Sequence, residues 1–151
     1  MPPEWHAVGV FCDDVRPENE GRMSVMGIMP DNADVPGFPF LLLRLGAYVR
    51  VHVLPTSNIN QIEVVIRFPT GQEQTLGTFD AVQIEKSKAE AKESGANWCG
   101  FITAAVAGNV TIPESGILRL VAKVGNEESI CGSLNLRLAA TSSSTASAQR
   151  A

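Results

Sequence analysis

Residues 41–54 read Leu-Leu-Leu-Arg-Leu-Gly-Ala-Tyr-Val-Arg-Val-His-Val-Leu, and their alternation decides the fold class. Because successive side chains of a β-strand point to opposite faces, this stretch predicts one long strand with an apolar and a polar face. The apolar face takes Leu41, Leu43, Leu45, Ala47, Val49, Val51 and Val53. The polar face takes Arg44, Gly46, Tyr48, Arg50 and His52. The run is longer than an average strand, so we expect it to bend near Gly46 or to serve two sheets.

Shorter runs of the same kind, separated by turns rich in Pro, Gly and Asn, occupy most of the remaining chain. They lie at residues 7–12, 22–29, 62–68, 74–76, 98–112, 118–124 and 130–138. About eight strands at short spacing predict an all-β protein, an antiparallel β-sandwich of Ig-like or jelly-roll-like type with at most one short helix. We expect a single domain over residues 1–138 and a disordered Ser/Thr/Ala-rich tail over residues 139–151.

One charged segment differs from these runs. Residues 86–94 read Lys-Ser-Lys-Ala-Glu-Ala-Lys-Glu-Ser. Ser87 and Glu90 have the spacing of a capping box, and Gly95 stands where a helix would end. The segment has almost no apolar face, so the sequence allows either an exposed helix or a charged loop. Just before it, Val82 and Ile84 suggest a short strand.

Several strand positions are apolar where an outward polar residue is expected. In the run at residues 98–112 both faces are largely apolar, which predicts that this strand is covered on both sides, by the chain itself or by another subunit. Further apolar residues at nominally outer positions are Leu42, Leu54, Val65, Cys99 and Phe101. A second buried surface of this kind is typical of a subunit interface.

Composition argues against several classes of function. The net charge of the 151 residues is -4, which speaks against the basic face of a nucleic-acid-binding protein. Cys12, Cys99 and Cys131 are odd in number and widely spaced, so we expect reduced thiols rather than disulfides or a zinc site. The N-terminus does not resemble a signal peptide, and no apolar run is long enough to span a membrane. The sequence therefore predicts a cytoplasmic protein.

The N-terminal third carries a family-like pattern. Val-Gly-Val-Phe-Cys-Asp-Asp-Val-Arg at residues 8–16 is followed by Gly-Arg-Met-Ser-Val-Met-Gly-Ile at 21–28 and Val-Pro-Gly-Phe-Pro at 35–39. With the strand at residues 43–51, these motifs resemble a family of uncharacterised bacterial proteins classed as a domain of unknown function. The resemblance implies a bacterial or phage source and a small β-rich domain. The first two runs, joined by a loop of medium length, are predicted from their own pattern to pair as an antiparallel hairpin. It implies no catalytic residues, and the role of Cys12-Asp13-Asp14 stays open.

Two acidic groups are candidate sites. Asp13 and Asp14 are neighbours at a strand end, so their side chains diverge, whereas paired acid–base carboxylates must converge on one bond. The simpler interpretation is that one of them caps the turn. Asp31, Asn32 and Asp34 share a loop and are candidate calcium ligands, although the spacing of an EF-hand is absent. Asx-rich turns without a metal are common, so no metal site is predicted.

The polar face of the long strand is the main candidate for function. It carries Arg44, Tyr48, Arg50 and His52, and Tyr and Arg are enriched at binding hot spots. A solvated sheet face is the plain alternative. The chain has no P-loop, no Gly-x-Gly-x-x-Gly and no Gly-x-Ser-x-Gly, so we expect no cofactor and no enzyme.

These observations predict a non-enzymatic protein-binding or adaptor module that uses this face. The alternative is a self-assembling structural protein whose apolar second sheet face is buried in a homo-oligomer. Neither interpretation involves a nucleic acid or a membrane.

Overall fold

The computed structural model describes residues 3–140, and this part of the chain contains ten strands, one α-helix and a short 3-10 turn. The strands are β1 (Trp5–Cys12), β2 (Asp14–Pro17), β3 (Met23–Met26), β4 (Asn32–Val35), β5 (Phe40–Val53), β6 (Ile62–Arg67), β7 (Glu73–Phe79), β8 (Cys99–Ile112), β9 (Gly116–Val124) and β10 (Glu127–Leu138). The helix α1 spans Ala81–Ser94, and the 3-10 turn spans Asn19–Gly21. The predicted all-β class with one helix is confirmed, with ten strands instead of about eight. Most of the predicted tail, from residue 141 onward, lies outside the described residues.

Two sheets pack face to face, and a small hairpin stands beside them. β1, β5 and β8 form a three-stranded antiparallel sheet with β5 in the centre. The second sheet has the order β4-β10-β9-β6-β7, antiparallel except for the parallel pair of β4 and β10. β2 and β3 form the hairpin. The hydrophobic core lies between the two larger sheets, because both contribute buried side chains to one cluster.

β5 is the predicted long strand, but its inward residues change partway along it. The residues that face the core as predicted are Leu45, Ala47, Val49, Val51 and Val53. Leu41 and Leu43, also predicted to face the core, are instead 49% and 70% exposed. Phe40 and Leu42 take their places against the core. The prediction that Leu41 and Leu43 face the core is therefore wrong.

The change of face occurs at Leu43. This residue lies between the cross-strand pairs Leu42–Val110 and Arg44–Gly108, where β8 contains Asn109 with a φ of 54°. A residue in the left-handed region turns the strand and interrupts the alternation of side chains, and Asn adopts that region more readily than most residues. The irregularity of β5 thus lies at Leu43, not near Gly46.

Most residues that suggested a second buried surface are covered by the chain itself. Cys99 and Phe101 face the core, with exposed fractions of 2% and 5%. Val65 lies on the outer side of the five-stranded sheet beside Val121, and both are buried. Ion pairs of 2.6–3.1 Å surround these valines, so the aliphatic stems of long charged side chains shield them; the pairs are Arg67–Glu73, Arg67–Glu128 and Lys123–Glu73. These positions therefore need no second subunit to bury them.

The outward side of β8 is different. Ile102 and Val106 project away from the core, and each is 38% exposed. The prediction that β8 is covered on both sides therefore holds only for its inward side within the described chain. This leaves apolar surface on the outside of the three-stranded sheet.

α1 begins earlier than predicted. Asp80 is the N-cap: its carboxylate accepts a hydrogen bond from the backbone N–H of Gln83, and the Gln83 side chain accepts one from the backbone N–H of Asp80. This capping box replaces the one predicted from Ser87 and Glu90, which lie inside the helix. Gly95 ends the helix with a φ of 75°, as predicted.

No helix among residues 3–140 is long and apolar enough to cross a membrane.

A buried lysine attaches α1 to the sandwich. Val82 and Ile84, predicted as a strand, are helical, and Ile84 is buried. Lys88 is only 3% exposed. Its Nζ donates hydrogen bonds to the carbonyl oxygens of Ser57 (2.8 Å) and Ile59 (2.5 Å) in the turn after β5. A helix with few apolar residues is thus held by a buried cation together with the buried Ile84 and Ala91.

The first two sequence runs do not form the predicted hairpin with each other. β1 pairs with β5, and the strand β3 pairs with the short β2. The backbone N–H of Asp13 donates to the carbonyls of Met26 and Gly27, and that of Met29 donates to the carbonyl of Phe11. The segment after β3 therefore runs beside the end of β1 without forming a regular ladder.

Candidate binding face

The solvent-exposed side of the β1–β5–β8 sheet, called the outer face below, contains the four predicted binding residues. Arg44, Tyr48, Arg50 and His52 project from β5 on the side opposite its buried core residues. Arg44 and Arg50 are exposed, whereas Tyr48 and His52 are partly buried. The four side chains thus share one face, and their role in binding stays a prediction.

β1 and β8 complete the outer face in cross-strand rows. Three successive rows, each with one residue from β1, β5 and β8, are His6–His52–Gly100, Val8–Arg50–Ile102 and Val10–Tyr48–Ala104. Val8 is 56% exposed and Ile102 is 38% exposed. Arg50 therefore stands between two exposed apolar side chains.

His6, His52 and Trp98 form an aromatic cluster at one end of the outer face. The rings of His6 and His52 are stacked, with centroids 4.7 Å apart. Trp98 stands edge-on to His6 at 4.7 Å and to His52 at 6.4 Å. Sequence reasoning selected His52 but missed the other two, because their contact depends on the strand order. The only sequence signal for Trp98 was its place on the same side of its strand as Gly100 and Ile102.

The environment of His52 favours its neutral form. Its Nδ1 is buried and has no hydrogen-bond partner among residues 3–140. Burial lowers the pKa of His52 below its ordinary 6.5, and the neighbouring His6 and Arg50 lower it further. The imidazole is therefore uncharged at neutral pH.

We expect His52 to make folding less stable in acid. Because its pKa is lower in the folded than in the unfolded chain, the unfolded state binds more protons as the pH falls from 6.5 through the folded value. Urea unfolding at about pH 7.5 and at about pH 5 measures this loss in the wild type and in His52→Gln. The loss should be smaller in the variant. An equal or larger loss in His52→Gln would contradict the assignment.

Arg50 is unpaired. The arginines with an acidic partner within 4.0 Å are Arg16, Arg22, Arg44, Arg67 and Arg137. Within the described part of the chain, Arg50 has neither an ion pair nor a side-chain hydrogen bond. Its guanidinium lies beside Gly100, where an added Cβ would be 3.6 Å from Nε and 3.7 Å from Nη2. The charge therefore lies close to the sheet and is open to a partner.

Arg44, in contrast, is bound to the chain. Its Nη2 lies 2.7 Å from Oδ1 of Asp14, and its Nε donates to the carbonyl of Asp13 at 3.3 Å. Asp14 also accepts a hydrogen bond of 2.9 Å from Arg16. The hydrogen bond from Arg16 and the charge of Arg44 hold the pKa of Asp14 below its usual range. Arg44 therefore lies at the margin of the candidate site, with its charge already paired.

The Cys12-Asp13-Asp14 motif forms the corner between β1 and β2. Cys12 is buried against Gly46, where an added Cβ would lie 2.9 Å from the cysteine Sγ. Gly27 has a φ of 66° and leaves no room for a Cβ beside the Asp13 side chain. The motif and its two glycines thus fit one another sterically, which gives them a structural role.

The candidate calcium loop is used for strand pairing. Oδ1 of Asn32 accepts a hydrogen bond of 3.2 Å from Asn135, and the carboxylate of Asp34 lies 3.0 Å from Arg137. These contacts join β4 to β10. Residues 3–140 contain no group of three His, Cys, Asp or Glu side chains placed to hold a metal ion.

The three cysteines are free thiols, as expected. Burial raises the pKa of Cys12 and of Cys99 above the usual value. Burial also raises the pKa of Cys131 to about 11. All three are therefore protonated at neutral pH, whereas the thiolate is the nucleophilic form.

The pockets found in the described residues lie away from the centre of the outer face. Five pockets of about 50–560 Å³ occur at strand edges, beside loops and between the sheets, and none is lined by Tyr48, Arg50 or His52. The largest lies beside Phe68 and Pro113. Small-molecule sites are concave, so a face without such a pocket at its centre is better suited to a macromolecular partner.

Comparisons of the chain with protein-family models, with curated proteins and with solved structures gave no match. The family resemblance described above accordingly stays a prediction. The arguments that follow rest on the geometry of the outer face.

Proposed function

We propose that the protein is a non-enzymatic protein-binding or adaptor module that docks a partner protein on its outer face. The resemblance noted above favours a bacterial or phage setting, and the compartment that we propose is the cytoplasm. The proposal rests chiefly on one observation: Arg50 is unpaired and lies in a row with exposed Val8 and Ile102.

The composition of the outer face supports this proposal. Tyr, Trp and Arg are the residue types most enriched at binding hot spots. Tyr48, Arg50 and Trp98 lie on this one face, next to exposed apolar side chains. A hot spot combines an apolar anchor with a polar group that gains a partner on binding, and this arrangement offers both.

The outer side of the five-stranded sheet is a weaker candidate. Its Arg67 and Lys123 are paired with Glu73, and its central Val65 and Val121 are buried. A partner would have to break these ion pairs to reach apolar surface there. The outer face of the β1–β5–β8 sheet requires no such rearrangement.

Self-association is the second candidate, and the exposure of Val8, Ile102 and Val106 favours it. A two-fold dimer through the outer face would, however, place this face against itself. The unpaired Arg50 of each copy would then lie in one interface whose strands offer no acidic side chain, and like charges brought together oppose association. Charge therefore favours a different protein as the partner.

The test is affinity capture of the tagged protein from lysate of its source cells, read by mass spectrometry. We expect a recurrent partner to be lost in the Tyr48→Ala/Arg50→Ala double variant, while circular dichroism shows a folded protein with nearly unchanged thermal stability. Arg119→Ala is the matched control, because Arg119 lies on the outer side of the other sheet. Capture that is equal in the double variant would contradict the proposal.

Light scattering on the purified protein tests the alternative. A monomer at micromolar concentration would exclude self-association as the function. A dimer that Ile102→Asp dissociates would favour it over the adaptor proposal.

A further inference from the structure

The row His6–His52–Gly100 lacks a side chain on β8. Outward positions on a strand are about 7 Å apart, and Gly100 leaves no side chain of β8 between Trp98 and Ile102. Arg50 and His52 of β5 lie over this gap, since an added Cβ at Gly100 would lie 3.6 Å from Arg50 Nε and 3.8 Å from His52 Cδ2. We call the gap, together with the Arg50 guanidinium over it, the Gly100 notch.

The guanidinium of Arg50 is held at this notch with its donors unused. Arg50 makes no ion pair and no side-chain hydrogen bond within residues 3–140, although five other arginines of this part of the chain have acidic partners. No outward-facing position of β1, β5 or β8 is Asp or Glu. The chain as a whole carries a net charge of -4. The positive charge of Arg50 therefore has no counter-charge on its own sheet, although the protein as a whole is acidic.

We propose that the Gly100 notch binds a carboxylate, namely an Asp or Glu side chain that the docked partner presents between two apolar residues. This inference rests on the proposed docking function and specifies the chemistry of its partner. The planar guanidinium of Arg50 matches a carboxylate with two parallel hydrogen bonds. Val8 and Ile102, on either side of Arg50 in the same row, contact the apolar neighbours.

A protein carboxylate fits the charges better than a polyanion does. Nucleic acids and phosphorylated surfaces are held by several cations spread over a basic face. On the outer face, within residues 3–140, Arg50 is the single unpaired arginine, since Arg44 is paired with Asp14; His52 is neutral at neutral pH. The acidic remainder of the chain repels a polyanion.

The test uses two peptide probes, N-acetyl-Val-Glu-Val-amide and N-acetyl-Val-Gln-Val-amide, which differ by one charge. Each is titrated into uniformly 15N-labelled protein and followed by 1H–15N correlation spectra. We expect the Glu peptide to shift the Gly100 amide, the Arg50 Nε–H and the Trp98 indole N–H. The Gln peptide should bind about tenfold more weakly, because its neutral amide cannot form charge-assisted hydrogen bonds with the Arg50 guanidinium.

Variants of two unpaired arginines provide the matched control. Arg50→Gln should weaken Glu-peptide binding by about tenfold and leave Gln-peptide binding almost unchanged. Arg119→Gln, on the outer side of the other sheet, should leave both unchanged. Both arginines are at the surface, and the spectra themselves report whether each variant is folded.

Three outcomes would contradict carboxylate binding at the Gly100 notch: no shift with either peptide, equal affinity for both, or Glu-peptide binding that survives Arg50→Gln. The measurement needs no cellular partner, so its failure is distinct from failure of the docking proposal. If a partner is captured through the outer face but the peptides show no preference for Glu, only the carboxylate proposal is refuted. If the Glu peptide binds selectively but no partner is captured, only the docking proposal is refuted.

Discussion

Replacing Lys88 by Met is expected to lower the free energy of unfolding by about 3 kcal/mol. Nζ of Lys88 donates to the carbonyl oxygens of Ser57 and Ile59, and the residue is 3% exposed. Met retains the apolar stem but removes the donors. The variant gains some stability because it no longer buries a cation. It loses more, because the carbonyl oxygens of Ser57 and Ile59 remain buried under α1 without a hydrogen-bond donor, so the net change is destabilising.

Urea unfolding followed by tryptophan fluorescence measures this effect, and amide hydrogen exchange shows whether α1 is loosened first. Lys92→Met is the matched control, because Lys92 lies in the same helix and is exposed. It should change the free energy by less than about 0.5 kcal/mol. Equal stability of the two variants would show that the Lys88 hydrogen bonds do not hold the helix.

Replacing Gly132 by Val is expected to cost about 3 kcal/mol, at the upper end of overpacking. A Cβ at Gly132 would lie 2.8 Å from the carbonyl oxygen of Gly9 and 3.1 Å from Leu120 Cδ1. Gly9 belongs to β1 and Gly132 to β10, so this contact closes a corner between the two sheets. Because the closest atom is backbone, it cannot turn away, and the strands must separate.

Moving β1 away from β10 should also change the environment of outer-face residues. β1 carries His6 and Val8 of the outer face, so Gly132→Val should shift their amide resonances as well as lower the stability. Gly108→Val is the matched control, since the nearest atom to its Cβ is the Leu43 carbonyl oxygen at 3.6 Å. Thermal unfolding that is the same for both variants would refute the steric argument.

Local pattern predicted those parts of the fold that each strand sets for itself. Val49, Val51 and Val53 are buried as their alternation indicated, because the period of two follows from strand geometry alone. Gly95 ends α1 for an equally local reason, since it can take a left-handed φ. The outward placement of Tyr48, Arg50 and His52 follows from the same alternation.

Local pattern was misleading where distant residues compete. The capping box at Ser87 and Glu90 matched the rule, yet the box at Asp80 and Gln83 starts the helix, because burying Ile84 extends α1 toward β7. Leu41 and Leu43 matched the apolar stripe, but the irregularity opposite Asn109 turns them outward. Asp80 and Gln83 have the spacing of a capping box themselves, so the segment alone offers two helix starts and does not decide between them. The exposure of Leu41 and Leu43 cannot be predicted from their segment, because it depends on the opposite strand.

The amino-acid sequence by itself determined the all-β class, the long central strand and the choice of Arg50 and His52 for one face, because all three depend on local alternation and turn chemistry. Only the tertiary structure decided that β5 lies between β1 and β8. That order brings His6 and Trp98 to His52 and sets Arg50 over Gly100. Strand order is fixed by packing between residues far apart in the chain, and for that reason the composition of the outer face is defined only once the sheets are assembled.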